Sequence, residues 1–298
     1  MRILVTGASG YLARHLIPAL LDAGHLVACL TRDPAALPKN WTNLPTGIAD
    51  RSGHGIRSLC ATFKPDVVVH LAAGYKAEHC FDDIAGLIDA NILLSTHLME
   101  AMHEAGCHSL VWAGTAWQHY EGADYRPVNL YAAMKQAVST LAEYYLDTAG
   151  LRLLELHLYD SYGEDDPRQR LLNQLQASVA SERALALSPG EQRLHLVHVD
   201  DLAQGFLMAC TQIAKQPAGT RRIFRLPSAS AVTIRELVAL FDAADPAHPA
   251  HVNWSARPYR QREVFTPWES GEILPGWEPS IDLASGLRRL RLQQAGSR

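Results

Sequence analysis

The chain has 298 residues, 48% of them hydrophobic and 19% charged, with a formal net charge of −4. That length suits a large α/β domain plus a smaller appended one, and the charge gives no electrostatic case for nucleic acid or an anionic membrane as partner. Five scattered cysteines (Cys29, Cys60, Cys80, Cys107, Cys210) without a C-x-x-C pair, and fourteen dispersed histidines, offer no disulfide framework and no metal spacing. The cysteines read as reduced core residues of a cytoplasmic protein, and no metal is assigned. The first strand begins at residue 2, which leaves no room for a signal peptide, and no apolar run approaches the length of a membrane span.

Arg2–Thr6 is a short apolar run of the kind found in buried parallel strands. Gly7-Ala-Ser9-Gly10-Tyr11-Leu12-Ala13 follows at once, then the helical pattern Leu16, Leu20, Leu21. Between a strand and a helix this turn is a dinucleotide-binding signal. Glycine permits the tight turn and a close approach to phosphate, the helix N-terminus presents free N–H groups, and Ala13 permits close packing. Residues 25–30 read as strand two and 46–49 as a weaker strand three. Residues 54–63 read as a helix, 65–74 as strand four and 84–104 as a long helix. Strand five covers 109–114, the helix carrying Tyr131 runs to Ala149, and strand six covers 151–158. This rhythm predicts an α/β Rossmann fold, a doubly wound parallel sheet with helices on both faces. Ligands on such sheets bind beyond the carboxyl ends of the strands, where Gly7, Arg32, Ala72, Thr115 and Asp160 fall.

After residue 163 the pattern changes to a polar loop, a helix from Leu171, a strand at 194–201 and a helix at 202–211. A strand at 222–226 and helices at 233–241 and 281–290 follow, with a frayed tail from Gln293. The expected division is interleaved. Residues 1–163 and about 190–215 form the dinucleotide-binding domain; about 164–189 and 216–298 form a smaller mixed α/β substrate-binding domain.

Tyr131 and Lys135 lie four residues apart, so on a helix both project from one face. A phenol with its ordinary pKa of about 10 is a poor base at neutral pH, and a lysine one turn away favours the phenolate. Thr115 ends a strand, where its hydroxyl can hold a carbonyl oxygen. The three can pass a proton to or from an alcohol, chemistry that pairs with hydride transfer. Alone, Tyr-x-x-x-Lys is also what a solvated helix face contains. Strand two ends in Thr31-Arg32, where an NAD(H) enzyme usually places an acid on the ribose. A guanidinium there suits a 2′-phosphate, with Arg14 as a second cation, so NADP(H) is favoured over NAD(H); Asp33 argues the other way.

In this order, Thr6-Gly7-Ala-Ser-Gly10-Tyr-Leu-Ala13, His70-Leu-Ala-Ala73, Asp89-Ala-Asn91, Tyr131-x-x-x-Lys135, Tyr162-Gly163 and Val197-His-Val-Asp-Asp201 resemble the extended short-chain dehydrogenase/reductases that act on nucleotide sugars. Gly114-Thr-Ala-Trp-Gln-His-Tyr120 and Tyr159-Asp-Ser-Tyr-Gly-Glu-Asp-Asp-Pro-Arg168 look like the branch containing CDP-abequose and CDP-paratose synthases. The resemblance implies NADPH-dependent reduction of a nucleotide-linked 4-keto-6-deoxy or 3,6-dideoxy hexose at C4, in deoxysugar biosynthesis. An NAD-dependent epimerase and a catalytically idle NADP-sensing protein are the alternatives. A 4,6-dehydratase fits less well, since those relatives carry an Asp-Glu pair where Ala116-Trp117 stand here.

The resemblance also implies roles. Thr115, Tyr131 and Lys135 are catalytic. Gly7, Ser9, Gly10, Tyr11, Leu12, Arg32, Leu71, Ala72 and Ala73 hold the cofactor with Tyr131 and Lys135. Asp50 takes the adenine amine, a loop acid being the alternative. Asn91 supports the lysine through water, a helix-surface amide being the alternative. Trp117, Gln118, His119, Asp160, Arg168, Arg193 and Arg262, with Arg260 beside it, meet the substrate, packing being the alternative for the aromatic segment 117–119 and a plain surface charge for Arg193, Arg260 and Arg262. Asp160 stands where relatives place an asparagine, and Arg168 or Arg170 is the cation that reconciles a carboxylate with a diphosphate. His157, where relatives often carry arginine, reads as core packing. Asp200-Asp201 is a helix entry rather than a metal pair. A homodimer is expected through helices 84–104 and 130–149, with Leu87, Leu94, Leu98 and Met102 on its face.

Overall fold

The computed structural model describes residues 1–296; Ser297 and Arg298 lie outside the described residues. The first half alternates as expected: β1 (Arg2–Thr6), α1 (Tyr11–Asp22), β2 (Leu26–Thr31), β3 (Thr46–Ile48), α2 (His54–Phe63) and β4 (Val67–His70). Then come α3 (Ile84–Ile88), α4 (Leu94–Glu104), β5 (Ser109–Thr115), α5 (Leu130–Ala149) and β6 (Arg152–Leu158). The second half holds β7 (Asp160–Tyr162), α6 (Leu171–Ser181), β8 (Leu185–Ala186), β9 (Arg193–Leu194), β10 (Leu196–His198) and α7 (Val199–Ile213). The chain closes with β11 (Arg221–Leu226), β12 (Val232–Thr233), α8 (Ile234–Ala244), β13 (Val252–Asn253) and α9 (Leu283–Gly296).

Seven strands form one sheet in the order β3-β2-β1-β4-β5-β6-β11, every pair parallel. Strand order reverses between β1 and β4, and a crevice opens there beyond the strand ends. The pleat sends alternate residues to opposite faces. Ile3, Val5, Val69 and Val111 pack with Leu16, Leu20 and Phe206 of α1 and α7. Leu4, Val68, Leu110 and Trp112 pack with Ile56, Met102 and Val138 of α2, α4 and α5. Apolar residues on both faces of each strand are what a parallel sheet covered by helices requires. A third core joins Leu175 of α6, Leu237 and Phe241 of α8, and Leu287 of α9.

Several expectations are corrected. Strand four stops at His70, and residues 71–76 run on without regular structure. The strand at 222–226, expected in the substrate-binding part, is β11 and extends the large sheet beside β6. The strand at 194–201 breaks into β9 and β10, because the His198 ring accepts from Asp200 N at 3.3 Å and starts α7 at Val199. The last helix runs to Gly296, past the expected fraying point at Gln293. The proposed dimer face is not available: Leu87, Leu98 and Met102 are buried within the monomer, Leu98 and Met102 in the core under the sheet. The exposed apolar side chains of those helices are Ile88, Leu141 and Tyr144. Among the described residues no helix is long and apolar enough to cross a membrane.

Asp201 is structural. Its carboxylate accepts from Ser280 N at 3.0 Å, Ser280 Oγ at 2.6 Å and Ile281 N at 3.1 Å, and its carbonyl accepts from Trp277 Nε1 at 3.0 Å. It ties the approach to α9 onto α7. Asp200 faces His15 at 2.7 Å instead.

Candidate active site

Gly7 leaves β1 with φ +66°, and a Cβ on it would meet Ala72 N at 2.8 Å. A Cβ on Gly10 would meet Gly7 O at 2.9 Å. Only glycine fits this turn, and Gly10 at the N-cap of α1 puts no side chain over the helix N–H groups. The cradle therefore fits a dinucleotide phosphate. Thr6 locks the crevice floor: its Oγ1 lies 2.6 Å from His70 Nδ1 and accepts from Ala72 N at 3.2 Å. His70 Nε2 lies 2.8 Å from Ser95 Oγ. Burial, helped by the Lys135 charge, pushes His70 down to about 3, so it is a neutral brace.

The long helix 84–104 is interrupted by a π turn at Asp89–Leu93, which turns the Asn91 amide inward. Asn91 Nδ2 donates to Gly74 O at 3.0 Å and Leu87 O at 2.9 Å, and Gly74 N donates back to Oδ1 at 3.3 Å. The helix-surface alternative is thereby excluded: Asn91 is buried and holds the loop after β4.

Tyr131 sits in the first turn of α5. Asn129 caps that helix, accepting from Ala132 N at 3.0 Å while its amide donates to Ala77 O at 3.0 Å. Lys135, one turn on, is buried. Its Nζ donates to Ala113 O at 2.8 Å and lies 5.0 Å from the Trp112 ring centre and 5.7 Å from that of Tyr131. Burial lowers its pKa to about 7, against the opposing pull of Glu155. Burial also pushes the Tyr131 phenol well above its ordinary value, Tyr75 adding to the rise and Arg170 opposing it. The expectation that Lys135 pulls the phenol down does not hold in this state, because the ammonium is itself desolvated and aimed at a carbonyl. Thr115 closes β5, donating its N–H to Gln118 Oε1 at 3.0 Å and accepting from Trp117 N at 3.3 Å.

These groups share the wall of one cleft of about 1060 Å³ with Gly7, Gly10, Tyr11, Leu12, Leu71 and Ala73 and with Trp117, His119, Asp160, Arg168, Arg193 and Arg262. Ser9 bonds Thr31 at 3.1 Å at the cradle's back. Arg32 stands exposed beyond β2. Asp50 is not in the wall; its carboxylate accepts from Ser52 N at 2.8 Å and Gly53 N at 2.9 Å, the loop role weighed against an adenine contact. Gln118 is corrected outright. It is fully buried, its oxygen on Thr115 N and its nitrogen on Gln136 Oε1 at 3.0 Å, and so presents no surface to a substrate.

The arginines divide. Arg168 is paired with Asp166 at 2.7 Å and lies over the Tyr11 ring. Arg170 is the cation that reaches Asp160, at 4.0 Å. Arg193 donates to Ala231 O at 2.7 Å, and Arg262 to Pro127 O.

A model of the NAD dependent epimerase/dehydratase family matches residues 3–223. The chain belongs to that family. Among curated members it is 29% identical to a CDP-abequose synthase of Yersinia pseudotuberculosis over 208 residues, covering 70% of this chain and 72% of that protein. It is 26% identical to a UDP-glucose 4-epimerase of Mycolicibacterium smegmatis over 97% of both chains. Among solved structures, MoeE5 in complex with UDP-glucuronic acid and NAD is similar over 100% of both chains, with a TM-score of 0.85 at 21% identity, a likeness of fold.

Three residues in this family member's cleft, Tyr75, Trp268 and His195, escape sequence reasoning. Tyr75 meets the Tyr131 ring edge-on at 5.2 Å and carries the Arg170 guanidinium 4.3 Å over its face. Trp268 stacks on His119 at 3.8 Å, and His195 lies 3.1 Å from Glu269. All three come from loops or from distant sequence, and no local spacing marks them. Arg170 beside them had a signal, the carboxylate at Asp160 that needs a cation.

Proposed function

We propose that the protein is an NADPH-dependent ketoreductase that reduces a nucleotide-linked 4-keto-6-deoxy or 3,6-dideoxy hexose at C4, with a CDP-linked sugar favoured. The observation that carries this reading is the convergence of Thr115, Tyr131 and Lys135 in one cleft with a glycine cradle and a set of arginines. The cofactor, when bound, supplies hydride to the ring ketone. Thr115 holds the ketone oxygen, and Tyr131 gives that oxygen a proton. A phenol pushed up by burial is fully protonated at neutral pH, the state a proton donor needs. Lys135, released from Ala113 O, serves the nicotinamide ribose and the phenol. Tyr75 and Trp117, 6.0 Å apart, offer faces to the sugar. Arg170, with Arg193 and Arg262, offers charge to a diphosphate. The core formed by α6, α8 and α9 supports reading 164–189 and the residues after β11 as the substrate-binding part.

The curated epimerase relative supports a second reading, a nucleotide-sugar epimerase. The two separate cleanly. The ketoreductase consumes one NADPH per 4-keto sugar and does nothing to a 4-hydroxy sugar; interconversion of two 4-hydroxy sugars without added reductant would establish the epimerase instead.

NADP(H) over NAD(H) rests on Arg32, exposed beyond β2 with no acid at that position. Arg32→Ala should weaken NADPH at least tenfold and leave NADH nearly unchanged, as loss of a charged hydrogen-bonding partner of about 1.5–3 kcal/mol implies. Equal binding of the two cofactors to the wild type in a fluorescence titration would reject the preference. We also propose a homodimer that buries Ile88, Leu141 and Tyr144; a monomeric mass by light scattering at micromolar concentration would reject it.

A further inference from the structure

Behind the end of β5 runs a chain of buried titratable groups that the reduction above does not use. It begins at the Ala123 carbonyl, 3.1 Å from His119 Nδ1. His119 Nε2 lies 2.9 Å from His157 Nδ1, and His157 Nε2 lies 3.2 Å from Glu155 Oε2. His157 and Glu155 are fully buried, and His119 is 7% exposed in the cleft wall. Between the two rings and Glu155 bulk water is excluded, so those hydrogen bonds have to be filled from within the chain, and the part-buried Ala123 carbonyl asks for a proton on His119 Nδ1.

The charge follows from counting protons. A carbonyl at one end and a carboxylate at the other only accept. The three gaps between them need three protons, and two neutral imidazoles bring one N–H each. One further proton completes the chain. Glu155 is a poor place for it: Arg221 Nε forms an ion pair with Oε1 at 2.6 Å, and Ser139 Oγ donates to Oε2 at 2.9 Å. Burial pushes this carboxyl up, but His157 and Arg221 outweigh it and hold it below its usual range. His119 is the poorer place of the two rings, since its outer partner is a neutral carbonyl where His157 faces the Glu155 carboxylate, and burial and the neighbouring His157 push it down to about 4. That leaves His157.

We propose that His157 is an imidazolium that donates from both ring nitrogens, and that Glu155, by holding it, is a positioning residue for the reduction. The proposal rests on the reductive reading of the cleft. The His157 ring packs against Gly114, where an added Cβ would collide with it. The buried cation therefore lies one residue from Thr115, the group that holds the ketone oxygen. Positive charge fixed there in advance favours the negative charge that oxygen develops. His157 also fixes His119, which stacks face to face on Trp268 and so shapes the wall. The other charges facing the chain are Lys135 and Glu143 from α5, Arg221 and Arg225 from β11, and Asp124 from the loop beyond His119.

Glu155→Gln tests this, because the amide nearly preserves the shape and reverses the proton count. The Gln nitrogen donates to His157 Nε2, its oxygen faces Arg221, and two neutral imidazoles then fill every gap. In 15N spectra of histidine-labelled protein at neutral pH, the wild type should show a histidine signal with both ring nitrogens protonated that is missing in His157→Gln. In Glu155→Gln that residue should be neutral, with kcat down about tenfold and NADPH affinity unchanged. A neutral His157 in the wild type overturns the proposal, and that spectrum alone decides the proton count should Glu155→Gln fail to fold. Wild-type kcat in a folded Glu155→Gln overturns the positioning role. An imidazolium in a protein that reduces no 4-keto sugar overturns the reductase reading while the proton count stands.

Discussion

Tyr131→Phe is expected to lower turnover by roughly 10²–10⁴-fold, the usual worth of a placed general acid, while NADPH binds nearly as before. The substitution removes one oxygen and keeps the ring, so the edge contact with Tyr75 at 5.2 Å survives. It also deletes the only change of state the site asks of this side chain. Burial holds the phenol protonated far above neutral pH, so the free protein presents a proton donor, as ketone reduction requires. Single-turnover oxidation of prebound NADPH by keto substrate measures the step directly. A Tyr131→Phe protein within threefold of the wild type would remove Tyr131 from the mechanism.

Lys135→Met should separate activity from stability in opposite directions. Turnover should fall by about 10²-fold or more, with weaker NADPH binding, because the ammonium that orders ribose and phenol is gone. The cofactor-free protein should become more stable. Lys135 has a folded pKa of about 7 against an ordinary value of 10.5, which at about 1.4 kcal/mol per unit is a cost of up to roughly 5 kcal/mol. Methionine leaves the Ala113 carbonyl without its donor, a loss of about 1–3 kcal/mol, so the net gain is on the order of 2–4 kcal/mol. The sign varies with pH. Between pH 7 and 10.5 the unfolded chain holds a proton that the folded chain has released, so wild-type stability rises with pH across that window. The advantage of Lys135→Met is therefore largest below pH 7 and shrinks toward pH 10.5. Thermal unfolding from pH 6 to 10 reads this, and a variant less stable than the wild type at pH 6 would contradict a strained lysine.

The fold was legible because parallel strands buried on both faces leave continuous apolar runs. Arg2–Thr6 and the helix at 54–63 fall where the pattern puts them. The cradle was legible too: Gly7 and Gly10 are demanded by contacts with Ala72 and Gly7 itself, a local requirement that the sequence carries. The π turn at Asn91 has no local signal, since nothing in Asp89–Leu93 departs from helical composition. Gln118 misled, because its neighbours Trp117 and His119 do line the cleft while a tight turn after β5 folds Gln118 back onto Thr115 N. The intended dimer face misled for a related reason: Leu98 and Met102 sit at helical spacing, and that spacing serves the sheet first. Tyr75, Trp268 and Glu155 could not be found by spacing, since what matters is which side chain each meets across more than forty residues or across a strand pair.

Transfer of label from NADPH deuterated at the transferring position of the nicotinamide tests the central claim most directly. CDP-, dTDP-, UDP- and GDP-linked 4-keto-6-deoxy sugars, each with and without the 3-hydroxyl, are incubated with the labelled cofactor and the products read by NMR. The account predicts one deuterium at C4 of a single 4-hydroxy epimer, with the CDP-linked sugar turned over fastest and no label in the Tyr131→Phe product on the same timescale. Absence of deuterium from C4 of every nucleotide sugar, with label delivered instead to a free carbonyl compound, would contradict it.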